Sequence, residues 1–146
     1  MNMIGRGVRA LLMFMAVASL VACEARYRDV SHNRAHRARI GLDCELTTYT
    51  RAHGVTLPSS PHRQTDYVSI WNPGFTGPEM TFLRVLEPGT RMRVVAARAC
   101  TNCLGRRIDY QVEISPTPVE FEGKPAYLQA EWLAPDQLRC SRPPPA

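Results

Sequence analysis

The chain has 146 residues, with 18 basic against 13 acidic side chains, 12 prolines and five cysteines. All the basic residues but Lys124 are arginine, and none of them forms the clustered stripe that a nucleic-acid partner requires. The length suits one modest domain, and no stretch reaches the roughly 20 apolar residues of a helical membrane span.

The first element is a leader. Residues 1–9 carry Arg6 and Arg9 and no acid, an apolar run follows from Ala10 to Val21, and the small residue Ala22 precedes Cys23. A positive start, a short apolar core and a small-residue end are the three parts of an export signal. Leu20-Val21-Ala22-Cys23 resembles the lipobox of bacterial lipoprotein precursors. That resemblance implies cleavage after Ala22, a diacylglyceride on the Cys23 thiol and a mature chain held to a membrane by its acyl chains. Glu24 stands where Asp often marks inner-membrane retention, so the same resemblance implies the outer membrane, with the domain facing the periplasm. An ordinary secretory leader, or an anchor that stays uncleaved, is the alternative. Removing residues 1–22 leaves 16 basic and 13 acidic side chains, a weakly basic chain.

Residues 23–41 read as a polar tether. They hold Arg26, Arg28, Arg34, Arg37 and Arg39 with His32 and His36, and a helical turn or two is expected around 30–38. The arginines suit a solvated linker or, functionally, contact with anionic headgroups. His32 and His36 have a helical metal spacing but no obvious third ligand, so no metal site is assigned.

From Leu42 the texture changes to short strands broken by Gly and Pro. Leu42, Cys44, Leu46 and Thr48 alternate with Asp43, Glu45 and Thr47, the pattern of a half-buried strand. Further strands are expected at 54–57, 66–72, 81–86 and 91–97, with Met92, Val94 and Ala96 on one face of the last. Ile108, Tyr110, Val112 and Ile114 give the cleanest alternation, ended by Pro116 and Pro118, and 127–133 supplies a final strand. The tail 141–146 is proline-rich and expected to be mobile. About six short antiparallel strands without a long helical period make residues 42–140 an all-β domain, a small barrel or sandwich. Val85-Leu-Glu-Pro-Gly-Thr-Arg-Met-Arg-Val94 resembles the hairpin of bacterial Src-homology barrels, and 123–133 loosely resembles their closing strands. That likeness implies a recognition module for peptides or cell-wall fragments. The usual opening motif of the wall-binding members is missing.

Setting Cys23 aside leaves Cys44, Cys100, Cys103 and Cys140. Outside the cytoplasm an even number suggests two disulfides, and four cysteines allow three pairings. Thr101-Asn102 suits a turn between strands, which favours a local Cys100–Cys103 bridge and leaves Cys44 to join Cys140. A redox CxxC needs a helix N-terminus to lower its first thiol's pKa, and here a strand follows. A four-thiolate zinc site needs a second CxxC, which is absent.

No nucleophile elbow, P-loop, zincin or dinucleotide motif occurs, so no catalytic residue, cofactor or metal is assigned. His53 and His62 flank a loop near Asp66, and a cleft joining either of them to a serine or cysteine and an acid would point to an envelope hydrolase. The loop Ile70-Trp-Asn-Pro-Gly-Phe-Thr-Gly-Pro78 presents Trp71 and Phe75 on stiff turns, as interface anchors or as core plugs. Arg84, with Tyr110 and Tyr127, is expected beside them. The function this favours is a membrane-anchored, non-enzymatic envelope lipoprotein that binds a protein partner as an assembly component, inhibitor or chaperone. A wall-binding module with peptidoglycan as ligand, or a small-ligand binder, is the second class.

Overall fold

The computed structural model describes residues 25–71, 77–103, 105–129 and 136–143. Cys23 and Phe75 lie outside them. Among the described residues there are nine strands: β1 (Tyr27–Asp29), β2 (Asp43–Leu46), β3 (Thr50–Val55), β4 (Tyr67–Ile70), β5 (Met80–Leu86), β6 (Arg91–Cys100), β7 (Ile108–Ser115), β8 (Ala126–Leu128) and β9 (Leu138–Ser141). One short helix, α1 (Arg34–Arg37), follows β1, and a 3-10 turn spans Val119–Phe121.

The strands form one sheet in the order β5-β3-β4-β8-β7-β6-β2-β9, and β1 pairs with the far end of β6. All pairings are antiparallel except β4 with β8. The chain is therefore all-β, as expected, with more strands than expected and one parallel pair.

Short connections show that this sheet is rolled. β5 and β6 stand five lanes apart, which is roughly 24 Å in a flat sheet. The segment from Leu86 to Arg91 spans at most about 18 Å when extended, and here it is a closed turn, with Thr90 N–H donating to Glu87 O at 3.1 Å. β2 and β3 are also five lanes apart, and the step from Leu46 to Thr50 reaches only about 14 Å. Gly89 forms the tip of the first connection with φ +87, a conformation that side-chain-bearing residues resist. Its N–H donates to Leu46 O at 2.8 Å, tying β2 to the turn. The sheet rolls without closing, because β5 and β9 remain its ends. The expected Val85–Val94 hairpin is thus a corner: β5 and β6 share the turn but not a ladder.

Rolling collects one face into a single core. Leu46, Ala52, Val68, Ile70, Leu86, Met92, Val94, Ala97, Val112, Ile114 and Leu128 are buried together. The alternation expected in β7 holds, with Tyr110, Val112 and Ile114 inward. In β6 it holds through Val94, then a register shift between Val94 and Ala96 moves the buried position to Ala97.

The expected tether is built into the domain. Tyr27, Arg28 and Asp29 pair with Cys100, Ala99 and Arg98, and Val30 enters the core. Arg28 faces outward, while Tyr27 and Val30 pack inward, Asp29 pairs with Arg98 and Ser31 Oγ accepts Ala97 N–H at 2.8 Å. At the other end, Ser141 belongs to β9 and not to a mobile tail.

Both expected disulfides are present. Cys44 and Cys140 are direct cross-strand partners, their Cα atoms 4.0 Å apart and 96 residues apart in sequence. Cys100–Cys103 closes the tip between β6 and β7.

Candidate functional site

At the β5 end of the sheet, the face opposite the core carries large apolar side chains into solvent. Directly paired antiparallel residues project from the same face. Val85 is paired with Arg51, and Phe82 with His53, which is in turn paired with Ser69. Trp71 extends the Arg51 row, because its backbone N–H donates to Arg51 O at 3.0 Å. Tyr49 stands with Arg51 and Val85 around a shallow recess. Tyr49 is 65% exposed, Phe82 48% and Val85 41%, while Trp71 is half-buried.

A bulge produces this face. The register shifts between Ala52 and His53, so that Ala52 faces Arg84, His53 faces Phe82 and Leu83 is the extra residue. Residues 82 and 85, three apart, therefore share the outer face, while Leu83 and Leu86 turn toward the core. Among the described residues β5 has a sheet neighbour on one side only. Apolar residues at both parities of 80–86 were the available sequence signal for Phe82 and Val85. Tyr49, ahead of its strand, left none.

Arg84 is not part of this face. It is paired with Ala52 and bonds Glu120 at 3.4 Å, an exposed pair that adds little stability. Tyr110 is in the core and Tyr127, in β8, packs against Tyr27 and Tyr67, so neither joins Arg84. Of the expected partner-binding residues, the structure places Trp71 on the apolar face and Arg84 off it, and Phe75 is outside the described residues.

Beneath Phe82, the polar groups are sealed. His53 and Ser69 are each 1% exposed. Gln129 Nε2 donates to Ser69 Oγ at 2.9 Å, and the Phe82 and His53 rings meet edge-to-face with centroids 5.9 Å apart. Burial first, then the nearby Arg51 charge, holds His53 below the ordinary imidazole value. Asp66 is engaged elsewhere, accepting Leu57 N–H at 2.7 Å.

A second polar cluster lies across β1, β4, β7 and β8. Arg107 holds the Asp109 carboxylate through Nε at 3.1 Å and Nη2 at 2.9 Å, and Asp109 is 2% exposed. Tyr127 stacks on Tyr27 at 6.3 Å and meets Tyr67 edge-on at 5.5 Å. Burial pushes all three hydroxyls above the ordinary phenol value, reinforced at Tyr27 by Asp109 and opposed at Tyr67 by Arg107 and at Tyr127 by Arg98. The cluster clasps the N-terminal strand to the sheet.

Toward the β9 end, the exposed residues form a charge lattice instead. Arg139, Glu45 and Arg91 make one row, and Asp43, Arg93 and Glu113 the next. They border an open groove of about 930 Å³ with equal numbers of opposite charges and no aromatic ring.

Among the described residues no group of three His, Cys, Asp or Glu side chains is placed to hold a metal ion. His36 bonds the Tyr110 hydroxyl at 3.1 Å, and His32 lies outside α1. The chain matches no protein-family model, no curated protein and no solved structure.

Proposed function

We propose that this chain is a lipid-anchored envelope domain that binds an extended segment of a protein partner along β5. The observation that carries it is the coincidence of exposed Phe82, Val85 and Tyr49 with the end strand of the sheet. A strand that is hydrogen-bonded on one side offers backbone donors and acceptors on the other, and apolar side chains beside it supply affinity. The partner is accordingly an extended segment with alternating apolar residues. Trp71 flanks the same face as an anchor. The proposed anchor is Cys23, placed by the leader that precedes it.

Photocrosslinking in cells tests the surface. A benzophenone side chain at Phe82 or Val85 should capture a discrete protein, and one at Glu113 on the lattice should not. No adduct from 82 and 85, or the same adducts from all three positions, would overturn the assignment. The anchor is tested separately by intact mass: the membrane form should exceed residues 23–146 by a diacylglyceride, and Cys23→Ala should abolish the increment.

A further inference from the structure

Between α1 and the end of β9, a recess of about 610 Å³ is lined by His32, Arg34, Arg37, Ala38, Ile40 and Arg142. No acid lines it. Arg34, Arg37 and Arg142 form no ion pair with a described residue, whereas Arg84, Arg93, Arg98 and Arg107 each have a carboxylate. Three guanidinium groups gathered without a counter-charge repel one another, and that arrangement is favourable once an anion enters.

The fold holds the arginines there. A four-residue helix has little stability of its own. α1 is fixed instead from below, because His36 bonds the Tyr110 hydroxyl and the Arg39 guanidinium lies 5.2 Å from the centre of the same ring. Those two side chains point to Tyr110, which leaves Arg34 and Arg37 at the recess. Arg142 arrives from β9, whose Ser141 is paired with Asp43 beside the chain leaving α1.

We infer that this recess binds the phosphate of an anionic phospholipid. The guanidinium groups match a phosphate oxygen set, and Ile40 with Ala38 gives the same recess an apolar wall, a combination that fits an amphiphile better than a free anion. The chain's path supports a membrane source. Arg26 is fastened to the β6–β7 tip, its N–H donating to Asn102 Oδ1 at 2.7 Å and its carbonyl accepting Thr101 N–H at 2.8 Å. Only residues 24 and 25 separate that fixed point from Cys23, so a lipid there keeps the domain at the membrane surface. This last argument rests on the proposed anchor, while the chemistry of the recess does not.

Native mass spectrometry of the full chain released from dodecyl maltoside micelles separates the two ideas, because a covalent lipid and a bound lipid appear as different mass increments. With phosphatidylglycerol and phosphatidylcholine supplied equally, phosphatidylglycerol should be retained preferentially. Arg142→Ala should lower that retention about fivefold and Arg34→Ala/Arg37→Ala about 25-fold, at one arginine's usual contribution per charge near an anionic surface. Arg142 follows the last strand, so its variant probes the recess without disturbing α1. Equal retention of the two lipids, or retention unchanged in both variants, would overturn the inference. Displacement of phosphatidylglycerol by millimolar inorganic phosphate would identify a free-anion site instead and overturn the lipid assignment. A missing covalent increment with arginine-dependent phosphatidylglycerol binding would refute the Cys23 anchor alone.

Discussion

Tyr27 of the first strand lies flat on Tyr127 of the eighth, with ring centroids 6.3 Å apart and planes within 8°. The stack fixes β1 across a sheet to which it contributes only three hydrogen-bonded residues. Tyr27→Ala should cost about 2 kcal/mol, from an aromatic pair and partial burial. Amide exchange should rise at 26–31 and Ala97–Cys100 and stay low in β7. Uniform loosening of the whole domain would show that β1 is not a separately held element.

The two disulfides should differ in weight. Cys44–Cys140 closes 96 residues and Cys100–Cys103 closes three. On the chain-entropy account the first is worth about 4.7 kcal/mol and the second about 1.6 kcal/mol. Urea midpoints of Cys44→Ala/Cys140→Ala and Cys100→Ala/Cys103→Ala, each beside the parent, measure the difference. Equal losses would mean that chain entropy is not what the bridges supply.

Acid should act through His53. Burial and the Arg51 charge hold its folded value below the ordinary one, while the unfolded chain titrates near 6.5. The unfolded state therefore takes the proton first as pH falls, so the His53 contribution is intact above about pH 6.5 and is lost progressively below it. Urea midpoints from pH 7.5 to 5.5 should decline in the parent chain and less steeply in His53→Gln. An identical slope in both would assign the acid sensitivity to other groups.

Binding and stability should separate at the β5 face. About half of Phe82 and of Val85 is already in solvent, so Phe82→Ser and Val85→Ser should each cost no more than about 1.5 kcal/mol of stability. Recovery of the crosslinked partner should fall at least about tenfold, the hot-spot scale. Half-buried Trp71 should show both effects as Trp71→Ala. A partner recovered undiminished from all three variants would place its surface elsewhere.

What sequence could reveal followed from how each strand is buried. In β7, one face meets the core and the other carries Asp109, Gln111 and Glu113, so the period of two is visible. In β6, Val95, Ala96 and Ala97 are all small and apolar, and the bulge among them leaves no trace in residue type. β1 was missed because its ladder uses backbone groups that every residue possesses, while its arginines suggested solvent. The cysteines were informative because turn-forming Thr101-Asn102 constrained one pair and left one partner for the other. Of the apolar face only Trp71 was anticipated, since grouping it with Phe82, Val85 and Tyr49 requires the register of three strands and a bulge.

The lane occupied by β2 has a consequence for how the protein is made. Cys44 lies between β6 and β9, so it has no neighbour on either side until much later residues have been synthesised. A nascent chain ending before β9 can close β3 onto β4 and β6 onto β7, but the sequence-distant pairing of β2 with β9 must wait. With Cys23 taken up by the proposed lipid, the other thiols that Cys44 meets in that interval are those at the β6–β7 tip, and a bond to either would lock β2 out of its lane. Early closure of Cys100 to Cys103, three residues apart, removes both competitors before Cys140 emerges. Correct joining of Cys44 is therefore governed by the order in which thiols become available, and the long bridge marks a chain synthesised to its last strand.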